Sequence, residues 1–400
     1  MVEILGEEGR RMVLRALRYL DLPPALTARF RESLPACGLT ALGVIYMPHL
    51  QFIDATITDS RTLLPWVLSG TLRLEEELAL MYLSNGSHEE LDEGNNQLYE
   101  HYGDANEQYL RYISKDTFAN CSFPYLTEVW IRVGGQDGYI PVWVVELLFL
   151  HPMLKILRTQ GMNWSKEEFQ NLKWPARNCN LEYLDLTETL IDYNGLENVL
   201  TRCQRLKGLF VAVDVARWSR GRNADYGDWV VNLERFGDVL QQHGRGLEEF
   251  SIRTDGLVSY HLRIPGRLGS LRDLNHLRHL HVEAAQLFGK QEHSIWRNEK
   301  VALRFSEALP GSIETLHLRH ERNFCPPSRI ASQHRLVKDE NCKLLIENKM
   351  GNLCEVQIEN EYDNVIKENE LPIELGMNGW EVGFMDDNTC SSQVVLSRKL

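Results

Sequence analysis

Phe123-Pro124-Tyr125-Leu126-Thr127-Glu128-Val129-Trp130-Ile131-Arg132 sets a proline two residues ahead of a leucine, and from that leucine the next aliphatics fall at the fourth and sixth positions. Side chains alternate across an extended chain, so the fourth and sixth positions share one side. Val129 and Ile131 are therefore expected to face a core, with Glu128, Trp130 and Arg132 on the opposite side. The same lead-in opens Met47-Pro48-His49-Leu50 and His151-Pro152-Met153-Leu154. The three-slot pattern returns at Leu181, Leu184, Leu186; Leu206, Leu209, Val211; Leu247, Phe250, Ile252; Leu277, Leu280, Val282; Ile313, Leu316, Leu318; and Leu353, Val356, Ile358.

One such pattern arises by chance roughly once in fifty residues, so spacing has to decide. From Leu126 the first slots advance by 28, 27 and 25 residues, then by 41, 30, 36 and 40. The early intervals are those of leucine-rich repeats, and the later ones imply insertions. Turn-forming or small residues precede most copies, among them Cys179, Cys203, Gly244, Gly246, Pro310, Gly311 and Gly351. Proline cannot sit in a central strand, so its recurrence marks a corner between helix and strand. The expected fold is α/β, a leucine-rich-repeat solenoid (horseshoe) with parallel strands on the concave face and irregular helices on the convex face. The ninth slot departs from the usual Asn or Cys, holding Gly134, Met162, Thr189, Asp214, Asp255, Ala285, Glu321 and Glu361, so no buried asparagine ladder is expected.

A solenoid lengthens by adding repeats, and 400 residues are read as one elongated domain. Residues 1–37 are expected to form an N-terminal helical cap, with Val13, Leu14, Leu17 and Leu20 covering the first repeat. Residues 38–385 form the irregular repeat region, with an insertion near 72–120, and 386–400 form a polar C-terminal tail. Val365–Leu375 is read as a last helix and Val142–Leu150 as a convex helix. The net charge of −13 opposes binding to phosphate backbones, which needs clustered Lys and Arg. No uncharged apolar run is long enough for a membrane span, and no signal peptide is visible, so a cytoplasmic or nuclear location is expected. Eight cysteines lack Cys-x-x-Cys or framework spacing and read as reduced, buried small hydrophobes.

With slots one, four and six buried, slots three, five and seven project from the concave face. There Trp130, Arg132, Arg158, Tyr183, Asp185, Phe210, Arg253, His281, His317 and Arg319 form the candidate protein-binding set. Exposed aromatics beside arginine have the composition of interaction hot spots. The competing reading is that loops cover these aromatics. His279, His281 and His317 stand close enough in register for a three-nitrogen metal site, with Glu283 as a fourth ligand, which leaves open a metal-dependent enzyme. No phosphate-binding glycine loop, nucleophile elbow or metalloprotease helix is present, and Gly134-Gly135-Gln136-Asp137-Gly138 reads as a turn. No cofactor and no catalysis are expected.

The Pro-x-Leu-x-x-Leu lead-ins, the irregular 25 to 40 residue repeats and the cysteines before the strands at Cys179 and Cys203 resemble the repeat regions of fungal F-box-like leucine-rich-repeat proteins. That resemblance covers nearly the whole chain and implies an intracellular substrate-recognition module of a cullin-RING ubiquitin ligase. In the family an N-terminal F-box docks on the Skp adaptor. Met1–Leu34 lacks the Leu-Pro-x-Glu opening of an F-box, so direct adaptor binding is not expected of this chain. The function expected is protein-protein interaction.

Overall fold

The structure is a computed structural model. It describes residues 11–13, 15, 39–45, 47, 49–58, 62, 64–68, 123–134, 139–170, 179–214, 231–256, 267–283, 286–287, 305–320, 350–360, 379–387 and 391–398. The fold is α/β with mostly parallel strands. The chain divides into two compact units, residues 1–163 with 167–182, and residues 164–166 with 183–400.

The first unit carries helix α1 (Leu39–Ile45), strand β1 (Phe52–Ile57), helix α2 (Leu64–Leu68), β2 (Glu128–Val133), β3 (Ile140–Pro141), a 3-10 helix (Val142–Leu150), β4 (Ile156–Gln160) and β5 (Met162–Asn163). β1, β2 and β4 form a parallel ladder in which Ile53 pairs with Val129 and Val129 with Leu157. The segment read as a convex helix is thus helical but wound as 3-10. Val142, Val145 and Leu148 are fully buried along it, at the three-residue spacing that a 3-10 helix brings onto one side.

The second unit holds β6 (Tyr183–Thr189), helix α3 (Tyr193–Arg202), β7 (Gly208–Asp214), helix α4 (Leu233–His243), β8 (Glu249–Gly256), β9 (His279–Glu283), helix α5 (Phe305–Ala308), β10 (Thr315–His320), β11 (Glu355–Asn360), β12 (Trp380–Asp387) and β13 (Ser391–Arg398). β6 through β11 pair in chain order and in parallel. β13 then pairs antiparallel with β11, and β12 with β13. Residues 386–400, expected as a polar tail, therefore supply the whole of β13 and the last two residues of β12. Val394 and Leu396 bury its inner side in a pattern too short to stand out among Ser391, Ser392, Gln393 and Ser397.

Every copy of the repeated pattern ends in one of these parallel strands. In seven of the nine copies the lead-in is a tight turn whose slot-one N–H donates to the carbonyl three residues earlier: Leu50 to Met47, Leu126 to Phe123, Leu206 to Cys203, Leu247 to Gly244, Leu277 to Leu274, Ile313 to Pro310 and Leu353 to Met350. Pro124 occupies the second turn position, where its fixed φ suits the bend. Pairing with the preceding repeat starts at slot two, whose carbonyl accepts two N–H groups of the next copy. Gln51 accepts from Thr127 and Glu128, Lys207 from Glu248 and Glu249, Glu248 from Arg278 and His279, and Arg278 from Glu314 and Thr315. This repeated bond locks register before the side chains meet.

In each unit the core is a stack of slots one, four and six. Leu126, Val129, Ile131, Leu154, Leu157, Leu184, Leu186, Leu209, Ile252, Leu277, Val282, Ile313, Leu318 and Val356 are all almost wholly removed from water. Burying one such side chain contributes about 1.5–3 kcal/mol. Two glycines admit neighbouring backbone against the helices. A Cβ at Gly195 of α3 would lie 1.9 Å from the Trp164 carbonyl oxygen, and one at Gly237 of α4 would lie 1.8 Å from that of Leu268. Asp192 caps α3 by accepting from Gly195 N–H at 2.6 Å and also accepts from Lys166 N–H, while Asn232 caps α4 through Arg235 N–H at 3.1 Å.

The asparagine ladder missing from slot nine has counterparts just before slot one. Asn180 Nδ2 donates to the Pro152 carbonyl at 2.9 Å, Asn352 Nδ2 to Gly311 at 3.1 Å, and Ser312 Oγ to Leu277 at 2.7 Å. Each ties a turn to the preceding repeat. Cys179 and Cys203 are buried free thiols as expected, whereas Cys354 is exposed. Of the proposed N-terminal cap, residues 11–13 and 15 are helical and Val13 is buried; Leu14, Leu17 and Leu20 lie outside the described residues. So do the 72–120 insertion, the Val365–Leu375 helix, Cys121 and most of the glycine turn after Gly134.

Candidate functional site

In the first unit, slot five holds Asp54, Trp130 and Arg158 on neighbouring strands, since Trp130 registers with both Asp54 and Arg158. Arg132 at slot seven lays its guanidinium 3.7 Å from the Trp130 ring centroid and bonds Asp54 Oδ2 at 2.5 Å. Arg158 stands 6.0 Å from the same ring and pairs with Glu128 at 2.9 Å. Trp130 is consequently half-buried, covered on one face by a cation. Such stacking contributes about 0.5–1 kcal/mol at an exposed site and holds the ring in one orientation.

Tyr183, Asp185 and Phe210 belong to the second unit, on β6 and β7. Tyr183 and Phe210 are also half-buried, so none of the three aromatics is the fully exposed group expected. Gly208 explains part of this. A Cβ there would lie 2.4 Å from Cδ1 of Tyr183 and 3.2 Å from Cε2 of Phe210, so the missing side chain makes room for both rings. Asp185 accepts from Thr187 Oγ1 at 2.9 Å along its own strand.

Phe52, at slot three of β1, is about half exposed, and other prominently exposed apolar groups sit in the turns. Met47, Tyr125 and Met153, all in the lead-in turns of the first unit, are about half accessible or more, with His49 stacked 5.5 Å from Tyr125. The sequence carried their signal, since each falls in the turn before slot one, outside the alternation that buries strand residues.

Further along the second unit the same columns change chemistry. His281 and His317 occupy slot five of β9 and β10 in direct register, and their rings stack at 4.0 Å with 16° between planes. Glu359 on β11 registers with Arg319 and leans back toward His317, placing Oε2 3.4 Å from Nε2 of His317 and Oε1 3.7 Å from Nε of Arg319. His317 Nε2 reaches this carboxylate at ion-pair distance without hydrogen-bond alignment. Burial, with His317, Arg253 and Arg319 adding to it, lowers His281 to about 4, so its imidazole is neutral at neutral pH. Glu359 is held below the ordinary carboxylate range, chiefly by His317 and then by Arg319, against the opposing effect of burial.

The metal-binding expectation is corrected in its membership. His281, His317 and Glu359 each offer a ligand atom, all within 4.8 Å of one another. His279 lies outside this group, its Nδ1 sharing a 2.8 Å hydrogen bond with Thr315 Oγ1 at slot three. Glu283 is buried and engaged away from the histidines, where its Oε1 accepts from Thr254 N–H at 2.8 Å and its own N–H donates to Gln286 Oε1 at 2.9 Å. Slot alternation names a side of the sheet correctly but not what the following loop folds over it.

No protein-family model matches this chain, and no curated protein is significantly similar to it. Among the described residues no helix is long and apolar enough to cross a membrane.

Proposed function

We propose that this chain is a protein-interaction scaffold of the leucine-rich-repeat type, a horseshoe solenoid whose strand side chains take a protein partner, acting as a substrate-recognition module akin to fungal F-box-like receptors in the cytoplasm or nucleus. The observation that carries the reading is the regular projection of slots five and seven from consecutive parallel strands, with aromatic and arginine groups at Trp130, Arg132, Arg158, Tyr183 and Phe210. Trp, Tyr and Arg dominate binding energy where they are held rigid, and the Arg132 guanidinium on Trp130 holds that ring. Repeat arrays bind through such surfaces and are stabilised by neighbour contacts.

Affinity capture with the full chain, followed by mass spectrometry, tests this. Trp130→Ala and Phe210→Ala, made singly because they lie in different units, should each reduce recovery of the same partner while circular dichroism stays native. Unchanged recovery from both would overturn the reading. Direct, stoichiometric capture of the Skp adaptor, lost on deleting residues 1–37, would reassign that segment as a divergent F-box.

A further inference from the structure

We propose that His281, His317 and Glu359 form a binding site for a divalent transition-metal ion of the zinc class. The three residues come from three consecutive parallel strands, β9, β10 and β11, so backbone register sets their spacing without any loop. A tetrahedral ion with ligand distances of about 2.0–2.1 Å needs donors roughly 3.3 Å apart. The 3.4 Å between His317 Nε2 and Glu359 Oε2 meets that already, and one ligand atom from each of the three residues lies within 4.8 Å of the other two. The rings stack at 4.0 Å with 16° between planes, so their in-plane lone pairs run nearly parallel and one ring has to turn about its Cβ–Cγ bond for both to meet one ion; Nε2 of His281 is buried without a hydrogen-bond partner that such a turn would break. Two imidazoles and one carboxylate suit zinc, cobalt or nickel, and not calcium or magnesium, which take oxygen ligands.

The electrostatics permit the ion while limiting its affinity. Arg319 contacts Oε1 of Glu359 and leaves Oε2 facing His317; Arg253 acts on both His281 and Glu359. These guanidiniums repel a dication, and the single carboxylate offsets only part of that repulsion. All three ligands are half-buried, so water completes the coordination. This inference goes beyond the docking role and does not depend on it.

The test is equilibrium dialysis and Co²⁺ absorption spectroscopy on the purified full chain. Wild type should bind one more equivalent of Zn²⁺ than the His281→Asn/His317→Asn double variant, and Co²⁺ should give a tetrahedral visible band that this variant lacks. Glu359→Gln, which keeps shape and adds no charge, should weaken binding about 10-fold or more, since even outer-shell changes cost about 10–100-fold. It also serves if the double variant does not fold. His279→Asn should retain the ion. Equal stoichiometry in wild type and variants, or loss of the ion in His279→Asn, would overturn the assignment.

Discussion

The parallel strands of the two units differ in what they do with charge. Across β1, β2 and β4 each arginine finds a carboxylate one strand back and one slot pair earlier: Arg132 reaches Asp54, and Arg158 reaches Glu128, with Trp130 between them. Across β9, β10 and β11 two stacked imidazoles and Arg319 converge on Glu359. The backbone is equivalent in the two places, with the same register and the same slot-two bond. The ladder therefore supplies positions, and local composition decides whether a position becomes a neutralised, aromatic-bearing surface or a donor cluster.

The largest effect should come from breaking the ladder itself. Leu184→Asp places a carboxylate in a fully buried slot, which should destabilise the second unit by more than about 4 kcal/mol. Hydrogen exchange should then lose protection in β6, β7 and β8 together, because these paired strands bury their inner side chains against one another. Loss confined to β6 would contradict that coupling.

A second effect belongs to the first unit alone. His151 is buried in the turn before β4, where its Nδ1 accepts from Met153 N–H at 3.2 Å, and burial lowers its pKa to about 4 from 6.5. Because the folded value lies below the unfolded one, its contribution to stability is complete above about pH 6.5. It declines as pH falls toward 4, by about 3 kcal/mol in total. Denaturant titrations from pH 7 to 4 should show a smaller fall in His151→Asn, whose side-chain oxygen can accept the same bond without titrating.

Gly237→Ala should show a smaller loss whose sign is diagnostic. In an unconstrained helix the change stabilises by about 1 kcal/mol, but the Leu268 carbonyl stands where the methyl would go, so a loss of about 1–3 kcal/mol is expected by calorimetry. The smallest effect is expected from Arg132→Lys, which removes the planar stack on Trp130 and leaves a surface ion pair. A stability change below about 1 kcal/mol, with altered tryptophan fluorescence, is the expected outcome.

How much of this was legible follows from range. The parallel strands of the repeat were readable because their slots recur within six residues, and Leu126, Val129 and Ile131 need no distant partner to declare a face. The histidine pair was readable for the same reason, being one register step apart. Glu359 was not, because it stands at slot seven of the next strand, outside the histidines' slot-five column, and reaches His317 only by leaning across. Glu283 was misplaced because Thr254, within β8, holds its carboxylate, and Gln286, past the end of β9, accepts from its backbone N–H. β13 escaped because its pairing with β11 is antiparallel and lies outside the repeat.

On the proposed reading a partner docks on the strand columns and not on the apolar lead-in turns at Met47, Tyr125 and Met153. Hydrogen-deuterium exchange of the chain with and without its captured partner separates the two surfaces. Partner-induced slowing is predicted in the peptides carrying Trp130, Arg158 and Phe210, with α3 and α4 unchanged. Slowing confined to the lead-in turns or to those helices would contradict it.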